Sequence, residues 1–337
     1  MDIKNKPWTK GKMPRRILAI RLHATGDVII TLPYLQCMRN SLPVNTRLDF
    51  LTITESESIP QNIELFNKVY SIKGGRVFKK QLLFTFLLLP RILLNHYDMV
   101  LDLQNAIISR LVRKCLFPKA WTTFDKISPI PAGERTRLTI EAIGLGRNYA
   151  HTHFKIKNEL ACETLLKENG WNGHSDLSIL NPAGAFETRN WPLSNYVAFA
   201  EIWLQRFPRT QFLIIGLDLI LSKANYLKSK LGENLINVVN KTTPAQAFVL
   251  VQKAKFILSE DSGLMHMAWV SGIPTMALFG STKSFWATPL GDHTMLLSSS
   301  DLECGNCMLE VCKYHDTHCL TRYSPEIVFE KAASLFR

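Results

Sequence analysis

Three short stretches of the chain carry residue types that can do acid–base and phosphate-binding chemistry. The first is Arg21-Leu22-His23-Ala24-Thr25-Gly26-Asp27-Val28. A carboxylate at Asp27, near the start of a helix, sits where the helix dipole favours its ionised form. There it can act as a general base toward a substrate hydroxyl or simply cap the helix, and the residues alone leave both readings open. Gly26 is read as the tight turn that lets backbone approach a ligand. The second stretch is Asn181-Pro182-Ala183-Gly184-Ala185-Phe186-Glu187-Thr188-Arg189-Asn190-Trp191-Pro192. Its small residues let backbone N–H groups approach a phosphate. Thr188 can add a hydroxyl donor, and Arg189 a planar fork for two phosphate oxygens. An ordinary loop carrying an incidental arginine fits the same residues. The third and most specific stretch is Glu260-Asp261-Ser262-Gly263-Leu264-Met265-His266. Two carboxylates precede a helix start whose free N–H groups can hold a diphosphate. Ser262 assists there and Asp261 accepts from hydroxyls. His266, one turn in, also fits a hydrogen-bonded core histidine.

Each stretch is read as the exit of a parallel strand, where open α/β sheets bind ligands. Ile17–Leu22 is an apolar strand and Val28 to Met38 has helical apolar spacing. Leu48–Ile53 and Met99–Leu103 continue the βαβ rhythm. The rhythm restarts after residue 175, with strands at Leu177–Leu180, Phe212–Ile215, Phe256–Leu258 and Thr275–Phe279. Helices are predicted from Ser194 (as N-cap) to Arg206, Ala245 to Ala254 and Ser262 to Val270. This pattern predicts two Rossmann-like domains facing each other across a cleft. Residues 1–165 form the first, 166–322 the second, and 323–337 a terminal helix packing back on the first. No repeat or low-complexity tract interrupts them.

The chain has 337 residues, 46% hydrophobic and 20% charged, a globular composition. No apolar run approaches the roughly 20 residues of a bilayer helix, and the basic first sixteen residues do not read as a signal peptide. A cytoplasmic protein with reduced cysteines is expected. The net charge of +12 lies wholly in residues 1–160, which hold 25 Lys and Arg against 12 Asp and Glu; the remainder holds 15 against 16. The first half is therefore expected to meet an anionic partner. Val77 to Tyr97 mixes Lys79, Lys80 and Arg91 with Phe84, Phe86 and many leucines. It fits a helix packed on the sheet or one lying on a membrane surface. Arg110, Arg113, Lys114 and Lys119 extend the basic character. No nucleic-acid motif accompanies the charge. The first strand–helix turn lacks G-x-G-x-x-G, which argues against a dinucleotide-binding dehydrogenase. Cys304, Cys307, Cys312 and Cys319 follow a C-x2-C-x4-C-x6-C spacing beside His315 and His318. They are read as reduced structural thiols, with tetrahedral zinc the lesser alternative.

The residues from Arg21 to Val28, Trp191-Pro192, Asp261 to His266, Gly272 to Gly280 and the late cysteines together resemble glycosyltransferase family 9, the heptosyltransferases, across nearly the full length. The resemblance implies a GT-B fold and inverting transfer of heptose from ADP-heptose to the lipopolysaccharide inner core, without a metal ion or other cofactor. It implies Asp27 as catalytic base, with Thr25 and Gly26 in the acceptor-side loop. Thr188, Arg189, Lys241, Thr242, Asp261, Ser262, Gly263 and His266 would serve the donor. An anionic glycolipid acceptor and peripheral contact with the cytoplasmic face of the inner membrane follow, and no nucleic acid. The sequence departs from the family pattern in several places. Arg189 stands for the usual lysine, Ser262 for a common threonine, and Leu320 for the common methionine after the last cysteine. Only Asp218 is available after the strand ending at Gly216, where an acidic cluster is common. A different nucleotide sugar, or a non-catalytic binding protein on the same fold, are the alternatives.

Overall fold

The computed structural model describes residues 1–75, 77–157 and 159–336. The chain divides into two compact units, Met1–Lys157 and Asn158–Arg337. In the first unit the strands are β1 (Asn5–Lys6), β2 (Arg16–Ile20), β3 (Arg47–Ile53), β4 (Lys68–Ile72), β5 (Met99–Asp102) and β6 (Ala120–Thr123). The helices are α1 (Thr25–Asn40), α2 (Ser58–Asn62), α3 (Phe78–Leu93), α4 (Ile107–Cys115) and α5 (Ala132–Glu141). The sheet order is β1-β6-β5-β2-β3-β4. All pairings are parallel except that of β1 with β6. The edge strand β1 is a two-residue polar pairing with no apolar pattern, and the sequence gives no sign of it.

The second unit holds α6 (Glu159–Glu168), β7 (Asp176–Asn181), α7 (Leu193–Arg206), β8 (Thr210–Ile214), α8 (Leu221–Leu231), β9 (Leu235–Asn237) and α9 (Pro244–Lys253). It continues with β10 (Phe256–Glu260), α10 (Gly263–Val270), β11 (Thr275–Phe279), α11 (Ser284–Ala287), β12 (Thr294–Ser298), α12 (His318–Thr321) and α13 (Pro325–Ala333). Its sheet is parallel throughout, in the order β12-β11-β10-β7-β8-β9. Strands such as Phe256–Glu260 and Thr275–Phe279 are buried along their whole length, as they must be when helices cover both faces of a parallel sheet.

Both sheets reverse direction once. In the first unit the switch lies between β2 and β5, and in the second between β7 and β10. A crevice opens at such a point because the connections leave to opposite sides.

Three expectations are corrected. Helix α6 packs on α9, where Cys162 Sγ faces the Gln246 carbonyl at 3.8 Å, so the second unit begins ahead of α6 and not at residue 166. Ser194 does not cap α7: the helix starts at Leu193 with Pro192 at the cap, since proline's fixed φ suits a helix entrance. Helix α13, expected on the first unit, packs on α7 and belongs to the core of the second unit. Val328 and Ala332 are fully buried in the second core, and Phe329 meets Phe199 and Trp203 edge-on at 6.4 and 6.2 Å. That aromatic cluster, with Trp203 stacked on Phe256 at 4.3 Å, offers more apolar area than a basic surface would.

Candidate functional site

At the first unit's switch point, β2 ends and the chain turns directly into α1. Thr25 and Gly26 lie within the first helical turn, so Gly26 serves the helix entrance and not the separate tight turn expected of it. Asp27 is the third residue of α1, and its Oδ2 accepts the Ala24 backbone N–H at 3.0 Å. The other oxygen pairs with Arg21 Nη2 at 2.9 Å. The Asp27 side chain nevertheless stays 37% exposed, whereas Arg21 is buried. It is oriented from behind and open in front. Arg21 also donates to the Leu103 carbonyl after β5, which ties the two exit loops of the switch point together, and its guanidinium lies over Phe124 at 4.6 Å. Gln104 Oε1 accepts from the Leu22 and His23 N–H groups. Thr25 Oγ1 is 3.0 Å from Ser56 Oγ.

The same corner gathers more positive charge than Asp27 balances. The guanidinium of Arg135, on α5, lies over the Phe124 ring at 5.1 Å. Burial and then the nearby Arg21 hold Arg135 below its ordinary value, and burial, Arg21 and Arg110 do the same to Lys126. Crowded cations of this kind form an anion site. Neither Arg135 nor Lys126 belongs to a recognisable motif; only the net charge of the first half pointed this way.

At the second unit's switch point, the exit loops of β7 and β10 are joined by buried polar groups. Asn181 Nδ2 donates to Ser259 Oγ at 2.7 Å and to Ser262 Oγ at 2.6 Å. Glu260, fully buried, accepts the Gly184 N–H at 2.6 Å on one oxygen and the Trp191 N–H at 2.7 Å on the other. Desolvation pushes its carboxyl up to about 7, against the pull of Lys223 and these N–H donors. Lys223 reaches across from α8 and donates to the Pro182 carbonyl at 2.9 Å and to Asn190 Oδ1. A side chain on Gly184 would collide with the Arg189 carbonyl and with Glu260, so glycine is needed there for close approach. Glu260 and Lys223 therefore hold the loop of residues 181–192. Sequence reading assigned Lys223 no part and offered Glu260 only as one of two carboxylates before a helix start, because each acts through a partner far away along the chain. The one available signal was a carboxylate ending a strand that opens with Phe256-Ile257-Leu258.

The loop so held places Arg189 Nη1 3.5 Å from Asp261 Oδ2, with the guanidinium 4.9 Å above the Phe186 ring. Ser262 caps α10 and accepts from the Met265 N–H. Beyond Gly263 there is open space where a side chain would stand. Beside this helix start lies a pocket of about 320 Å³, whose lining includes Asn181, Ala183, Ser262, Gly263, Leu217 and Leu219, together with Thr242, Thr243 and Pro244. An apolar pocket beside free N–H groups suits a flat ring that carries phosphate.

The remaining expected residues stand elsewhere. Thr188 is buried, with Oγ1 2.9 Å from Ser281 Oγ and donating to the Leu309 carbonyl at 2.5 Å; its hydroxyl serves the fold of the 309–310 segment. Lys241 Nζ donates to Asn169 Oδ1 at 2.5 Å. His266 is buried, and its Nδ1 accepts from Trp269 Nε1 at 2.9 Å. Asp218 accepts from Asn240 Nδ2 at 2.6 Å. Cys304, Cys307, Cys312 and Cys319 share the lining of a separate cavity of about 580 Å³ with Thr188. All are free thiols, and among the described residues no cluster of His, Cys, Asp and Glu is placed to hold a metal ion. Burial and the other three cysteines raise the Cys319 thiol to about 11.

Comparison with known proteins gives these features a family. The sequence profile of glycosyltransferase family 9 (heptosyltransferase) matches residues 134–318. A lipooligosaccharide heptosyltransferase 2 of Campylobacter jejuni is 30% identical over 54% of this chain and 56% of its own length. The chain spans about half the length of the curated relatives it matches at this level. Among solved structures, the family 9 glycosyl transferase of Veillonella parvula superposes with a TM-score of 0.80, at 17% identity over 95% of this chain and 97% of the other. The Escherichia coli ADP-heptose lps heptosyltransferase II superposes with a TM-score of 0.71, at 16% identity over 95% and 98%. These two share the fold of two parallel-sheet α/β domains. With its profile match covering more than half of the sequence, the chain belongs to glycosyltransferase family 9.

Proposed function

We propose that this chain is an inverting glycosyltransferase that moves heptose from ADP-heptose to an anionic glycolipid, the inner core of lipopolysaccharide, at the cytoplasmic face of the inner membrane. The observation that carries the donor half of the reading is the second unit's switch point. There an apolar pocket borders the open start of α10, and the Arg189 guanidinium pairs with Asp261 just ahead of that start, an arrangement that suits a nucleoside diphosphate. Adenine fits the pocket walls, the helix N–H groups and Arg189 take the diphosphate, and Asp261 faces the sugar. The family relationship and the shared fold of the E. coli ADP-heptose lps heptosyltransferase II support ADP-heptose as donor.

In the reaction the bond between the anomeric carbon and the diphosphate breaks, and the acceptor hydroxyl oxygen bonds to that carbon from the opposite face. Negative charge appearing on the departing diphosphate is stabilised by Arg189 and the α10 start. Asp27 takes the acceptor's proton. Arg135 and Lys126 give the first unit its affinity for an acceptor bearing phosphate or carboxylate. Incubation with ADP-heptose and truncated lipopolysaccharide acceptors, read by product mass, is expected to show one added heptose. Transfer only from a different nucleotide sugar would overturn the donor assignment. The engagement of Asp218 by Asn240 favours testing that second reading, because it leaves the ribose without an obvious free carboxylate.

A further inference from the structure

Helix α3 carries apolar side chains on its exposed side as well as on the side that packs, where Phe84 and Leu88 join Ile92 at the core. Its inward positions are Gln81, Thr85, Leu89 and Ile92. Gln81 Nε2 donates to the Gly75 carbonyl, and Thr85 Oγ1 bonds back to the Gln81 carbonyl at 2.7 Å. Several outward positions are strongly apolar. Leu83 is 57% exposed, Phe86 53%, Leu87 68% and Leu94, just past the helix end, 76%. These four recur at spacings of three, four and seven and so share a face. Single exposed leucines are ordinary, but a contiguous apolar stripe marks a binding surface.

The stripe does not end with the helix. Leu89 and Leu93 of α3 line a broad depression together with Arg113, Lys114, Phe117, Pro118 and Trp121, and Phe117, at its rim, is 88% exposed. The charges around the stripe have one sign. Residues 73–123 contain nine Lys and Arg against two acids, Asp98 and Asp102. Both acids are occupied: Asp98 pairs with Lys119 at 2.6 Å, and Asp102 is buried beside Arg113 at 3.5 Å. Lys79, Lys80 and Arg91 are exposed and bracket the stripe at both ends. Among the described residues no helix is long and apolar enough to cross a bilayer.

We infer that α3 and the α4–β6 corner form a membrane-docking face that takes an anionic phospholipid surface, with Leu83, Phe86, Leu87 and Leu94 entering the acyl boundary and Lys79, Lys80, Arg91 and Lys114 meeting the headgroups. An apolar stripe fringed by unopposed cations is what such a surface selects. A protein partner would be expected to bring an acidic counterpart but would not require so continuous a leucine face. The inference deepens the peripheral membrane contact proposed above and rests on that reading. Vesicle binding and sugar transfer are nonetheless separate measurements, so each can fail without the other.

The test is co-sedimentation of the full chain, without donor, with vesicles of phosphatidylglycerol and phosphatidylethanolamine, against vesicles of phosphatidylcholine. Partitioning to the anionic vesicles is expected to exceed that to neutral ones by about tenfold or more, and to fall with added salt. The triple variant L83D/F86D/L87D is expected to lose about tenfold or more in partitioning. It should retain ADP binding and transfer to a soluble acceptor stripped of acyl chains. L94D/F117D, at the most exposed positions, gives a second reading if the triple variant folds poorly. Equal binding to both vesicle types, or wild-type partitioning by both variants, would overturn the inference. So would a wild-type dimer that the variants dissociate while neither form binds vesicles, since the face would then belong to a second copy of the chain.

Discussion

Replacing Glu260 by glutamine tests whether a buried carboxylate holds the donor loop. The wild-type group titrates at about 7, above the 4.5 of a free glutamate, because burial opposes its charge. The folded protein therefore binds this proton more tightly than the unfolded chain. The stability this contributes is fully present below about pH 4.5 and is lost as pH rises through about 7. The difference amounts to about 3 kcal/mol between the two limits. Glutamine cannot titrate, so this component of the pH dependence should vanish from E260Q. The amide has one acceptor oxygen for two donors, the Gly184 and Trp191 N–H groups. One N–H is left facing an NH2, at a cost of about 1–3 kcal/mol. E260Q should thus be less stable than wild type near pH 5, and the deficit should shrink or reverse by pH 8. Urea unfolding across that range, followed by fluorescence of Trp191, Trp203 and Trp269, which are buried in this unit, gives both curves. Because histidines and surface carboxylates titrate alike in the two proteins, their contributions cancel in the difference. Parallel curves would refute the assignment of the raised value to Glu260.

Three further perturbations separate the parts of the site. D27N should cut transfer by about 10²–10⁴-fold, the usual contribution of a general base, while ADP affinity, read by calorimetry, stays the same; retained turnover would remove Asp27 from the chemistry. R189A deletes a charged donor worth about 1.5–3 kcal/mol to an anion, so ADP binding should weaken by about tenfold or more, and an unchanged Kd would place the diphosphate elsewhere. G263V adds a side chain into open space over the α10 start. Its thermal midpoint should hardly move while ADP binding is lost; a variant that binds ADP normally would show that the helix start is not the diphosphate seat.

The legible parts of this protein are those whose signal is local. The strands Arg16–Ile20 and Thr275–Phe279 announce themselves by the apolar runs Ile17 to Ile20 and Met276 to Phe279, and Ser262 by its place at a helix start. Asp261 beside Ser262 is likewise local. What sequence reading cannot supply is which of several polar groups a fold uses for itself. Thr188 and Lys241 have the chemistry of phosphate ligands, yet their hydrogen bonds go to Leu309 and Asn169, more than seventy residues away in each case. Helix α3 shows the converse. Its composition gave two readings, packing or membrane; Leu89 and Ile92 pack inward while Leu83, Phe86 and Leu87 stand exposed, a division of faces that composition alone does not assign. The final helix was misplaced for the same reason: its partner is an aromatic cluster assembled from α7 and β10, visible only once those elements are side by side.

Both switch points rest on an arginine–carboxylate pair, and the two pairs are built differently. Arg21 and Asp27 lie in one turn, so a short motif carries them together. Arg189 and Asp261 arrive from the exits of β7 and β10 and meet only because Glu260, one residue before Asp261, grips the backbone on either side of Arg189. The carboxylate that positions and the carboxylate that faces the ligand are thus neighbours on one strand end, pointing opposite ways as strand alternation requires. Inward, Glu260 is desolvated and saturated with backbone donors. Outward, Asp261 keeps the Arg189 contact at 3.5 Å, long enough for an incoming anion to draw the guanidinium away. A donor diphosphate that recruits Arg189 would free Asp261 for the sugar in the same movement, so one event prepares both halves of the donor site. D261N should then strengthen binding of ADP alone, by releasing Arg189 in advance, while weakening discrimination among sugars on the diphosphate. If D261N lowers affinity for ADP itself, Asp261 positions Arg189 and does not compete for it.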